Sequence, residues 1–136
     1  MREILFRGKT VCDGDWVYGG ITWNPSRKKF FIHTDWEEAN VIPETVGQYT
    51  GLTDKSGLTK VFEGDIIRYV EIDVDGSEST HIGVFYYDAE KATWAIKNGG
   101  YRVLFSNLLL ENIEAIGNIY DNPELYNAVI RRLKQL

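Results

Sequence analysis

Apolar and polar positions alternate along most of this chain, and turn residues break the alternation at short intervals. Ile82, Val84 and Tyr86 share one face of a strand running from His81 to Tyr87, because side chains two positions apart point the same way. Ala92, Trp94 and Ile96 alternate with Thr93, Ala95 and Lys97 in the next segment. Asn98-Gly99 follows, and both residues accept the positive φ of a type I′ hairpin turn. Tyr101 to Phe105 is the expected partner strand. Ile66 to Ile72 is a strand entered from the turn Glu63-Gly64-Asp65, and Asp75-Gly76-Ser77 turns it into the one after.

The N-terminal third reads the same way. Residues 2–6 predict a short strand. Asp13-Gly14 is a turn, Asp15 to Trp23 a strand with a bulge or close approach at Gly19-Gly20, and Lys29 to His33 its hairpin partner. The entries at Asp13-Gly14-Asp15 and Glu63-Gly64-Asp65 share a pattern, too short to signal a duplication. Residues 34–60 are loop-rich, with one short strand expected at Val46 to Leu52. Ser106 to Glu111 predicts a short helical turn. Only the C-terminus carries a helical period: Leu125, Val129, Leu133 and Leu136 form a stripe behind Asn122 as cap and Pro123 as first helical residue.

Period-two segments between turns predict a mainly β protein: one domain over residues 1–136. Its core is a small SH3-like or related barrel made by residues 60–120. N-terminal hairpins are added to it, and a helix over about 123–135 packs on it. The 136 residues suffice for a hydrophobic core without a metal or disulfide staple.

Charge narrows the function. Fifteen Lys and Arg against 20 Asp and Glu give −5, so the chain does not advertise general phosphate-backbone binding. One cysteine, Cys12, excludes an internal disulfide and a Cys-based zinc cluster. No apolar run approaches a membrane span and the N-terminus lacks a signal-peptide pattern, so the expected location is the cytoplasm.

Candidate chemistry is sparse. Glu71, Asp73 and Asp75 resemble half a calcium loop, but the sixth and twelfth positions hold Glu78 and Val84. His33 and His81 have no third histidine. No metal site and no cofactor is expected. Arg27, Lys28 and Lys29 with Trp23 and Phe31 make the best patch for stacking single-stranded nucleic acid. Gln48 and Thr50 share a strand face between Gly47 and Gly51, where another backbone or a ligand approaches closely. Glu63 and Asp65 are the carboxylate pair a small enzyme would use, given one pocket and one raised pKa.

Five segments together resemble the YopX-like family of phage and prophage proteins. They are Ile4-x-Phe6-Arg7-Gly8-Lys9, Gly14-Asp15-Trp16-Val17-Tyr18-Gly19, Pro43 to Leu52, Val61-Phe62-Glu63-Gly64-Asp65-Ile66-Ile67 and Glu114 to Leu125. They run in order and cover nearly the whole chain, while residues 68–112 match by strand pattern alone. The resemblance implies a predominantly β fold with a barrel-like core, encoded by a phage or prophage. It implies no activity.

The expectation is therefore a non-enzymatic accessory protein that binds a protein partner or itself. Gln48, Tyr49, Thr50, Glu63, Asp65 and Asn118 are its candidate binding residues. A nucleic-acid-binding barrel and a carboxylate-dependent enzyme are the alternatives.

Overall fold

The computed structural model describes residues 2–98, 101–104 and 112–134. The chain divides into two compact units, Met1–Gly51 and Leu52–Leu136.

The N-terminal unit is an antiparallel sheet of β1 (Phe6–Lys9), β2 (Trp16–Asn24), β3 (Lys29–His33), β4 (Glu38–Asn40) and the start of β5 (Gly47–Thr53). Its strand order is β4-β3-β2-β1-β5. The strand expected over residues 2–6 begins at its last residue. Arg7, Gly8 and Lys9 pair with Tyr18, Val17 and Trp16, and Gly8 lets Ile32 and Val41 approach to 3.2 Å of where a Cβ would sit.

β2 changes partner halfway along its length. Residues up to Gly19 pair with β1, and residues from Gly20 pair with β3. Gly19 is the close approach: an added Cβ would lie 1.9 Å from the His33 carbonyl oxygen. Nothing comes within 4 Å of the same position at Gly20.

The loop-rich stretch holds more order than its composition suggests. Glu38–Asn40 is too short to show a period, yet it pairs with β3, Ile32 opposite Ala39. Pro43–Thr45 forms one 3-10 turn. Thr45 Oγ1 accepts the Lys9 amide at 2.9 Å and donates to the Ile42 carbonyl at 2.6 Å. Ile32 and Val41 are the most deeply buried apolar side chains of this unit.

The C-terminal unit contains β6 (Lys60–Phe62), β7 (Asp65–Ile72), β8 (Glu78–Asp88), β9 (Thr93–Asn98), β10 (Tyr101–Leu104), β11 (Glu114–Asn118) and α1 (Pro123–Lys134). Five of these strands form an antiparallel sheet ordered β10-β9-β8-β7-β11. The expected barrel is not closed: among the described residues β10 and β11 are the two edges of an open sheet. The pairing of Tyr101 with Asn98 leaves two residues for the β9–β10 turn, but Gly99 itself lies outside the described residues. So does the helical turn expected at Ser106 to Glu111.

Val61, Ile67, Tyr69, Phe85, Ile96 and Ile113 make the core of this unit, with Leu52 packed against them. The register explains the cluster. Ile67 faces Gly83 and Phe85 faces Ile96, so Ile67, Tyr69, Gly83 and Phe85 share one face of the sheet. Ile66, Val84 and Ala95, on the other face, are buried as well. β11 carries a bulge between Ala115 and Gly117. α1 packs against β8. Leu125, the first residue of the expected stripe, is half-buried, and the side chains of Val129 and Leu133 lie outside the described ones.

The two adjacent glycines of β2 give a paired test. Gly19→Ala forces β3 to shift and costs about 2 kcal/mol or more, as overpacked sites do. Gly20→Ala leaves stability within about 0.5 kcal/mol, as at open surface positions. Thermal melting of both variants reads the difference.

Candidate functional site

In the C-terminal unit, the polar residues of the motifs gather around two glycines. The β6–β7 turn places Gly64 at φ +91°, a conformation that favours glycine. A Cβ there would meet the Tyr120 ring at 3.1 Å. The Gly64 amide donates to the Phe85 carbonyl at 2.8 Å, and its carbonyl accepts the Ile119 amide at 3.0 Å. Asp65 is buried, and its Oδ2 accepts the Phe62 amide at 2.7 Å. The carboxylate thus closes its own turn. Glu63 is half-buried at the same turn.

Asn118 pairs with Asp65 across the β11–β7 ladder. Its Oδ1 accepts the amides of Tyr120 and Asp121 at 3.0 and 2.8 Å, and its Nδ2 donates to Asp121 Oδ2 at 3.0 Å. The backbone amide of Asn118 donates to Asn122 Oδ1, and the amide of Asn122 returns to the Asn118 carbonyl. Gly117 makes room for this exchange, because a Cβ would sit 2.5 Å from Asn122 Oδ1. The step from β11 into α1 is therefore fixed by two asparagines.

Gln48, Tyr49 and Thr50 belong to the N-terminal unit. Gln48 is half-buried opposite Phe6 in the β1–β5 ladder. Tyr49 and Thr50 are buried, and the Tyr49 amide donates to the Leu5 carbonyl at 2.8 Å.

The aromatic-basic patch is divided by the sheet. Trp23 pairs with Phe30, ring centroids 4.9 Å apart, so Phe31 points to the opposite face. Phe31 is buried, and the Arg27 guanidinium sits 5.7 Å from its ring centre. Trp23 and Phe31 do not form one stacking platform. Lys28 and Lys29 are exposed on the hairpin turn and its exit.

The register also assembles a polar group that sequence reading did not single out. Tyr69 lies opposite His81 and Glu71 opposite Ser79. Ser79 Oγ is 2.9 Å from His81 Nε2, and Glu71 Oε2 is 3.7 Å from the same nitrogen. A serine-histidine-carboxylate relay uses both ring nitrogens, one for each partner. Here both partners address one nitrogen, so the group is not a relay. Asn98 Nδ2 donates to the Tyr69 hydroxyl at 3.1 Å. Burial pushes the Tyr69 phenol up to about 12, so it stays protonated across the physiological range. Only the β7–β8 register, not the spacing along the chain, reveals this group.

Near the β7–β11 edge, Glu114 Oε2 meets Lys55 Nζ at 2.9 Å and Arg68 at 3.3 Å. The Lys55 ammonium, with help from Arg68, holds the Glu114 carboxyl below its usual range. Among the described residues no group of three or more His, Cys, Asp or Glu is arranged to hold a metal ion, and no helix is long and apolar enough to cross a membrane.

The surface shows a different pattern. Trp36, Leu58 and Val74 are 93%, 88% and 109% exposed. Each sits in a turn capped by its own polar side chains. Thr34 Oγ1 accepts the amides of Trp36 and Glu37. Asp54 accepts the Ser56 amide, and Ser56 Oγ accepts that of Leu58. Asp75 accepts the Ser77 amide at 2.9 Å.

A family model described as YopX protein matches residues 10–127. The chain belongs to the YopX family. No curated protein and no solved structure matches it. The match covers the Glu63–Asp65 turn, the Asn118–Asn122 exchange and the β5 polar stretch of this YopX-family chain.

Asp65→Ala strands the buried Phe62 amide and costs about 1–3 kcal/mol, the penalty for an unsatisfied buried donor. Asn118→Ala frees two amides in the turn between β11 and α1 and costs about 1 kcal/mol. Denaturant midpoints measure both.

Proposed function

We propose that this YopX-family chain is a phage- or prophage-encoded accessory protein of the cytoplasm, which acts by binding a protein and not by catalysis. One observation carries the reading. The most exposed apolar side chains, Trp36, Leu58 and Val74, stand on turns that their neighbours' side chains hold in place. A water-facing apolar group on a preorganised turn loses little entropy on docking. Aromatic anchors such as a docked tryptophan supply much of the energy of protein interfaces, and aliphatic groups add apolar area removed from water.

The alternatives have less support. Asp65 is engaged as the acceptor of its own turn, which leaves it poorly placed to act with Glu63 as a general acid–base pair. Phe31 is buried, and the −5 charge opposes a phosphate backbone.

Affinity capture from phage-infected or prophage-induced cells tests the proposal. A protein partner is expected to remain after nuclease treatment. Retention of nucleic acid alone, or of nothing above background, contradicts it.

A further inference from the structure

β7 and β8 extend past the rest of their sheet. The ladder from β7 to β11 stops at Arg68, and the ladder from β8 to β9 starts at Val84. Beyond those points the two strands pair with each other, from Tyr69 opposite His81 to Ile72 opposite Glu78. Among the described residues, nothing else adds a strand to this ribbon. It is an arm built on the sheet, ending in the turn Asp73–Ser77.

The tip combines two features that do not serve folding. Ile72 is 45% exposed and Val74 is 109% exposed. The turn forms without either side chain. The Asp73 amide donates to the Ser77 carbonyl and the Gly76 amide to the Asp73 carbonyl. Gly76 supplies a φ of +86°, and Asp73 and Asp75 receive the Ser77 hydroxyl. Around these two aliphatic groups stand Glu71, Asp73, Asp75 and Glu78, with no Lys or Arg between Val70 and Ile82. The Ser77 hydroxyl and amide hold the Asp75 carboxyl below its usual range.

We infer that the β7–β8 arm is the docking element, inserting Ile72 and Val74 into an apolar pocket on a partner protein whose rim is rich in Lys and Arg. The inference rests on the protein-binding reading above and gives it a place and a chemistry. Charge complementarity selects the occupant. Nucleic acid and anionic membranes are repelled by the carboxylates. A second copy of the same arm is repelled equally, so self-association through this element is disfavoured. A cationic rim is attracted, steers the approach and fixes the register, while the aliphatic groups supply the burial.

The test puts a photoreactive phenylalanine analogue in place of Val74 in the full chain and crosslinks it in prophage-induced cells. In parallel, wild type, Val74→Ser and Val11→Ser, a change at an exposed apolar position of the N-terminal unit, are compared in capture of the same partner. A crosslink to a partner surface where Lys and Arg surround an apolar contact is expected. Val74→Ser weakens capture about tenfold or more, Val11→Ser leaves it unchanged, and raised ionic strength lowers wild-type capture, since exposed charges are screened. Both variants keep the wild-type melting temperature, because the replaced groups are solvent-exposed. Equal capture by Val74→Ser overturns the arm and leaves the binding reading standing. A crosslink to nucleic acid or to a second copy also overturns the arm. Absence of any wild-type partner overturns both.

Discussion

The Gly64 turn is the constraint on which the C-terminal unit depends. Its amide and carbonyl reach two strands, β8 through Phe85 and the end of β11 through Ile119. Neither is adjacent to it in the chain. A residue with a Cβ would have to adopt a disfavoured φ and displace the Tyr120 ring at once. Asp65 then fixes the turn from inside by taking the Phe62 amide. Closing a loop of more than fifty residues costs chain entropy before it returns any contact. The meeting of Asp65 with Asn118 concentrates several backbone hydrogen bonds at that closure.

β8 and β9 were legible from apolar residues between turns, although their burial is two-sided: Gly83, Val84 and Phe85 are buried in succession, as are Ala95 and Ile96. β11 shows no such signal, because the bulge after Ala115 breaks the alternation. It appeared only as part of the Glu114 to Leu125 motif. β4 has three residues, fewer than a period needs. The open edges of the sheet were hidden for another reason: period and turn spacing are the same in an open sheet and a closed barrel. Site residues divide along similar lines. Polar residues beside Gly64 and Gly117 stood out in the sequence. The Tyr69, Glu71, Ser79 and His81 group did not, because cross-strand register brings it together. The Trp23–Phe31 patch looked continuous in one dimension and is split by the pleat in three.

The chain thus separates two uses of its distinctive residues. Asp65, Asn118 and Asn122 spend their hydrogen-bonding capacity on backbone groups near them. Trp36, Leu58 and Val74 contribute nothing to a core and face water on stiff turns. In a fold whose YopX motifs hold turns and strand ends, the proposed partner surface lies on the projecting turns. The β7–β8 arm is the most developed of these, with its own ladder and the carboxylates of Glu71, Asp73, Asp75 and Glu78 with no Lys or Arg among them.

Amide hydrogen exchange tests most directly the claim that the motif residues hold the C-terminal unit together. Amides that open only with global unfolding share one high free energy of exchange. The account predicts that the amides of Phe62, Gly64 and Ile119 exchange with the same free energy as those of the core residues Ile66 and Ile67. Exchange of Phe62, Gly64 and Ile119 several kcal/mol more easily than the core, as fast as the solvent-exposed turn at Val74, would contradict it.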